Sequence, residues 1–68
     1  MGHYTDEQIM KIMYSIIKNQ KEVRRSEIRS IAKLSINQYN RVKSHFEEKH
    51  SGEVEYEKST RTWKWTGN

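Results

Sequence analysis

The stretch Ser35–Glu47, SINQYNRVKSHFE, decides how the rest of this 68-residue chain is read. Ser35 and Gln38 have the spacing of a capping box. The serine hydroxyl can take the N–H of the third helical residue while Gln38 reaches back to the cap's own N–H. Leu34 before the cap and Tyr39 inside the helix are placed as a hydrophobic staple, which fixes how the chain enters. Tyr39, Val42 and Phe46 recur at i, i+3 and i+7, so one stripe is buried and Asn37, Asn40, Arg41 and Ser44 turn to the opposite side. Amides, a guanidinium and a hydroxyl are the groups that reach base edges in a nucleic-acid groove, Arg toward guanine and Asn toward adenine. A helix face that is simply solvated is polar too, so the neighbouring segments have to decide.

Length and composition narrow the choices. A chain of 68 residues is expected to form a single domain, residues 1–68, with too little interior for both a core and a deep substrate pocket, so an enzyme acting alone is not expected. The absence of cysteine rules out disulfides and thiolate zinc sites, leaves stability to packing, and agrees with a reducing intracellular setting, cytoplasm or nucleus. No apolar run is long enough to span a bilayer and the N-terminus has no signal-peptide pattern, so neither a membrane nor a secreted location is expected. His45 and His50 are five apart, on different sides of a helix, and His3 lies near the terminus; no metal site and no cofactor are expected. No serine has a histidine and an acid at the spacing of a nucleophilic triad.

The formal charge is +4 and the pI about 9.5, which suits an acidic partner, and the placement says more than the sum. Residues 21–34 set Lys21, Arg24, Arg25, Arg29 and Lys33 against Glu22 and Glu27, a net of +3. Residues 35–50 set Arg41, Lys43 and Lys49 against Glu47 and Glu48, a net of +1, and the two ends of the chain balance. The excess sits in the middle.

On the N-terminal side, Thr5 and Gln8 form a second capping box with Tyr4 and Ile9 as its staple, and Ile9, Ile12, Met13, Ile16 and Ile17 give a buried helical stripe. This predicts a first helix over about 5–19. A short second helix follows over about 25–33, with Ile28, Ile31 and Ala32 as its buried edge and Arg24, Arg25 and Arg29 outside. Val23, a lone apolar residue between polar ones, suggests a short strand between these helices. Lys33-Leu34 then makes a very short connection to the third helix, about 35–49, with a lysine where a glycine would be at ease. Beyond Ser51-Gly52 the period changes from helical to alternating. Val54 and Tyr56, then Trp63 and Trp65, predict a hairpin over about 53–66 that pairs Tyr56 with Trp63, Val54 with Trp65, and Glu55 with Lys64. Ser59-Thr60 lacks the residues of a tight primed turn, so a four-residue loop is expected. The aromatic stripe of Tyr56, Trp63 and Trp65 has the chemistry to stack unpaired bases, but a domain this small needs those rings in its core.

Three helices followed by a hairpin, with the third helix capped right after a short turn, resembles a winged helix-turn-helix DNA-binding domain, an α+β fold. The residues that carry the resemblance are Ile28, Ile31 and Ala32, Leu34-Ser35, Tyr39, Val42 and Phe46, and the Val54/Tyr56 and Trp63/Trp65 pairs; it covers nearly the whole chain. The family's third helix enters the major groove and its hairpin tip reaches the adjacent backbone or minor groove. The resemblance thus implies contacts by Asn37, Asn40, Arg41, Ser44, Lys58 and Arg61, alongside the basic Arg24, Arg25, Arg29 and Lys33. It implies a double-stranded nucleic-acid partner, DNA above all, in transcription regulation or replication, and is compatible with a homodimer on DNA and with a larger parent protein. Some members serve instead as protein-interaction modules, and Glu47, Glu48 and the hairpin glutamates keep that alternative open.

A narrower resemblance is to the Z-form nucleic-acid-binding (Z-alpha) winged helices of RNA-editing deaminases and some viral proteins. Asn40-Arg41-Val42 and the wing's Thr62-Trp63-Lys64 carry it, and it implies that Asn40, Arg41, Ser44 and Trp63 grip a zigzag backbone. The chain departs from that family in having Ser44 where a tyrosine stands and in having no proline in the wing.

Overall fold

A computed structural model describes residues 4–67 of the chain, so His3 lies outside the described residues. The order is α1 (Asp6–Gln20), β1 (Glu22–Arg24), α2 (Arg25–Ala32), α3 (Ile36–Lys49), β2 (Val54–Glu57) and β3 (Thr62–Trp65). Each long helix begins where its cap predicts. Thr5 Oγ1 accepts the Gln8 N–H at 3.2 Å while the Thr5 N–H donates to Gln8 Oε1 at 2.9 Å. Ser35 and Gln38 make the same exchange at 3.1 Å each way. For α2 only half of the device exists, because Arg24 has no side-chain acceptor; its N–H donates to Glu27 Oε1 at 3.1 Å.

The junction between α2 and α3 closes with Lys33 in the left-handed region, φ 55° and ψ 48°. The N–H groups of Lys33 and Leu34 both donate to the Arg29 carbonyl, which satisfies the end of α2 and turns Leu34 into the core. A non-glycine residue held there costs roughly 1 kcal/mol. This ending also corrects one sequence expectation. Ile31 is 53 % exposed, because the short helix buries only the Ile28–Ala32 edge and Leu34 supplies the next apolar contact. On α1 the buried set is Ile9, Met10, Met13, Ile16 and Ile17, with Ile12 half-buried. The stripe is turned toward Met10, which lines the groove against Val42 of α3.

The strands form one antiparallel sheet in the order β1–β3–β2, so the last strand is the central one. Trp63 stands opposite Val23 on one side and Tyr56 on the other, while Val54 pairs with Trp65 and Glu55 with Lys64, the register read from the alternation. The charge pairing differs. Lys64 Nζ meets Glu57 Oε1 at 2.8 Å, the diagonal rather than the directly opposed glutamate, a reach open to long side chains. The loop between the strands has the expected four residues, Lys58 to Arg61, and Arg61 at φ 55° supplies its left-handed step. Three helices on a three-stranded antiparallel sheet make a small α+β fold whose layout is compatible with a winged helix. None of the described helices is long and apolar enough to cross a membrane.

Candidate nucleic-acid interface

The outer face of α3 carries Asn37, Asn40 and Ser44 exposed to solvent, as the helical spacing requires once Tyr39, Val42 and Phe46 are buried. Arg41 is exposed as well, but it is not free. Its Nε and Nη2 both donate to Asp6 Oδ1, at 3.1 and 2.8 Å, joining the middle of α3 to the first turn of α1. Sequence reasoning missed this pair, and no local pattern signals a contact across 35 positions. Both side chains are more than half exposed, 58 % for Arg41 and 51 % for Asp6, so the pair is worth at most about 1 kcal/mol and yields to a better partner. Lys43, on the flank of the same helix, sits over the Tyr56 ring at 5.4 Å and ties α3 to β2.

Of the basic residues, Arg24, Lys33, Lys58 and Arg61 are exposed and Arg25 and Arg29 half-buried. Arg29 leans back on the turn, Nε to the Leu34 carbonyl at 3.4 Å. The Arg25 N–H donates to the Arg61 carbonyl at 3.0 Å, which brings the hairpin loop against the start of α2. Arg24, Arg25 and Arg61 therefore converge on one concavity of about 210 Å³, completed by Ser26 and Thr60. Arg29, Lys33 and Lys58 do not line it.

Trp63 cannot do what the Z-form resemblance implies while this core is intact. The residue is fully buried, its Nε1–H donates to the Tyr39 hydroxyl at 2.9 Å, and its ring lies against Phe46 and Tyr56 at centroid distances of 5.3 and 4.8 Å. Burial pushes the Tyr39 hydroxyl up to about 12, with the Trp63 hydrogen bond acting the other way, so the pair stays neutral and hydrogen-bonded across the ordinary pH range. Asn40, Arg41 and Ser44 are exposed, whereas Trp63 presents no surface to solvent. Trp65 is half-buried, crossed edge-on by Tyr14 at 5.4 Å and approached by Lys18 and Lys21.

A second polar cluster, not anticipated from the sequence, joins α1 to the start of the hairpin. Glu53 accepts from the Tyr14 hydroxyl at 2.8 Å and lies 3.2 Å from His50 Nδ1, while its backbone carbonyl accepts the N–H groups of Thr66 and Gly67. The Tyr14 hydrogen bond, then that of His50, holds the Glu53 carboxyl below its ordinary value of 4.5. A carboxyl whose folded value is lowered adds stability that is complete above the unfolded value and is lost as the pH falls through the folded one. Glu53→Gln should therefore lower the melting temperature near neutral pH and flatten its fall below about pH 4.5. Part of the slope remains, because Lys64 and Ser59 hold Glu57 low in the same way. Melting curves of wild type and variant that stay parallel across the acid range would show that these bonds carry no such linkage.

Among the described residues no three His, Cys, Asp or Glu side chains gather in a way that could hold a metal. Comparison with family models, with curated proteins and with solved structures gives no match.

Proposed function

We propose that the chain is a winged-helix domain that binds double-stranded nucleic acid, DNA being the expected partner, in a transcriptional or replicative setting. The observation that carries this reading is the state of the cations. Among the described residues Arg24, Arg25, Arg29, Lys33, Lys58 and Arg61 form no ion pair, and three of them share one concavity. Unpaired arginines brought to one concavity, with further unpaired cations on the neighbouring segments, are the chemistry that phosphates require. The exposed face of α3 adds groups able to read bases. A 14-residue helix is about 21 Å long and about 10–12 Å wide, dimensions that a major groove about 12 Å wide admits.

In this reading Arg41 exchanges the Asp6 carboxylate for a guanine edge. Arg41→Ala should cost about 1–3 kcal/mol on a preferred site and less on random duplex. Asp6→Asn should have the opposite sign and raise affinity by no more than about fivefold, since the exposed pair it removes is worth at most about 1 kcal/mol. Anisotropy titrations of the two variants against wild type check both. An Arg41→Ala variant that binds every duplex like wild type would take α3 out of the interface. The burial of Trp63 weighs against the Z-form alternative, whose signature is inversion of the circular dichroism of an alternating CG duplex, abolished by Asn40→Ala.

One observation favours a protein-interaction module instead. Ile31 and Ile36, on either side of the α2–α3 turn, are 53 % and 38 % exposed. A domain that shifts no duplex at low salt would be read in that way.

A further inference from the structure

An open concavity of about 400 Å³ lies between α1 and the end of α3, and none of its residues belongs to the proposed nucleic-acid interface. Glu7, Met10, Lys11 and Tyr14 line it from α1, at the i, i+3, i+4 and i+7 spacing of one helical face, and Lys49 and His50 close it from the other side. Two of these side chains are fixed before any ligand arrives. The Tyr14 hydroxyl donates to Glu53 Oε2 at 2.8 Å, His50 Nδ1 lies 3.2 Å from Glu53 Oε1, and the imidazole is 4.8 Å, centroid to centroid, from both the Tyr14 and the Phe46 rings. The His50 backbone is pinned as well, its N–H donating to the Phe46 carbonyl and its carbonyl accepting from Glu53 and Val54.

The Glu53 contact decides what His50 offers. Glu53, held below its ordinary value by Tyr14 first and His50 second, is ionised near neutral pH and only accepts, so Nδ1 carries the proton. Glu53 does not line the concavity, which leaves Nε2 of His50, unbonded among the described residues, as the nitrogen available to a ligand. Nε2 is a bare acceptor in the neutral ring and a donor in the charged one. Lys11 and Lys49 are exposed and form no ion pair among the described residues, and they face Glu7 alone among the lining acids. The excess is one positive charge, or two when His50 is protonated, which suits a monoanion. The Tyr14 and His50 rings and the Met10 thioether are surfaces that favour a flat ring. An enclosed cavity of about 150 Å³ takes benzene, so this larger one has room for a ring, an acid group and some of its water.

We infer that this concavity binds a small aromatic monocarboxylate, with the ring against Tyr14, Met10 and His50 and the carboxylate on Lys11, Lys49 and the protonated Nε2 of His50. Apolar walls with a few convergent polar groups are the ordinary form of a small-molecule site. Binding takes up a proton at His50, because the neutral ring turns a lone pair to the carboxylate. The charged groups around the imidazole are Glu7 and Lys11 of α1, Lys49 of α3, and Glu53, which Lys18 also approaches. Between about pH 8 and about pH 5.5 imidazole is the side chain that changes charge, whereas carboxylates and ammoniums ordinarily do not. The site stands apart from the nucleic-acid reading, and its test needs no duplex.

The test uses the whole chain. Benzoate titrated into isotopically labelled protein should give saturable amide shifts at Met10, Lys11, Tyr14, Lys49 and His50. Acetate has the charge without the ring and benzyl alcohol the ring without the charge, so each should bind at least about tenfold more weakly. Lys11→Gln and Lys49→Gln should each weaken benzoate about tenfold, the loss of one charge-assisted contact, while the melting temperature barely moves. Lys58→Gln, which removes the same charge from the hairpin loop, should leave benzoate binding unchanged. Lowering the pH from about 7.5 to about 5.5 should tighten wild-type binding by roughly three- to tenfold, and His50→Asn should bind equally at both. The wild-type profile carries the pH test even where that variant does not fold. Acetate that binds as tightly as benzoate, shifts that spread over the basic residues of α2 and the hairpin, a loss in Lys58→Gln equal to that in Lys49→Gln, or an affinity that pH leaves unchanged would each overturn the assignment.

Discussion

Trp63→Ala is expected to remove most of the stability of this domain. The side chain is fully buried on the central strand, between Val23 and Tyr56 in the sheet and edge-on to Phe46 of α3. Truncating a buried tryptophan costs about 3–5 kcal/mol, and the Tyr39 hydroxyl loses its donor in the same step. A domain of this length has about 3–10 kcal/mol in total. Thermal and urea denaturation followed by circular dichroism should show either an unfolded variant or a melting point lower by at least about 12 °C. Trp63→Phe keeps a ring on Phe46 but still leaves Tyr39 without its donor, and should fall between wild type and alanine. A Trp63→Ala protein that melts with wild type would show that the ring is not part of the core.

Most of the fold was legible because its signals are local. Both full capping boxes act within four residues, and the Tyr39, Val42 and Phe46 stripe and the Val54/Tyr56–Trp63/Trp65 alternation each carry their own period. Even the lone Val23 was enough to place β1, since a single buried residue between polar ones has few other uses beside a hairpin. What failed was decided by tertiary contact. Ile31 fits a helical stripe yet is exposed, while Leu34, beyond the left-handed Lys33, is the next buried apolar residue. Met10 is buried by the approach of α3, which nothing in α1 announces.

The candidate site was legible in its chemistry and not in its arrangement. Residue types and helical spacing put Asn37, Asn40, Arg41 and Ser44 on the outer face of α3, where the structure has them. The Asp6 pair that holds Arg41, the convergence of Arg61 with Arg24 and Arg25, and the Tyr14–Glu53–His50 cluster all join distant segments. Only the path of the folded backbone brings them together. Trp63 shows the limit most clearly, since an aromatic residue on a strand suits a core and a ligand equally until its neighbours are known.

The affinity itself should be dominated by salt. If Arg24, Arg25, Arg29, Lys33, Lys58 and Arg61 supply about four to six phosphate contacts, each contributes about −0.9 to the slope of log K against log salt. The resulting slope of about −4 to −5 means a loss of roughly 10²- to 10³-fold between about 50 and about 200 mM salt. The net charge of +4 is a poor guide here, because Asp6, Glu53 and Glu57 are paired with Arg41, His50 and Lys64, while the six cations named form no ion pair among the described residues. Fluorescence anisotropy of a labelled mixed-sequence duplex, titrated with the wild-type chain at these two salt concentrations, measures the slope directly. The account predicts clear binding at the lower concentration and a fall of that size at the higher one. No binding at low salt, or binding that salt leaves unchanged, would contradict it.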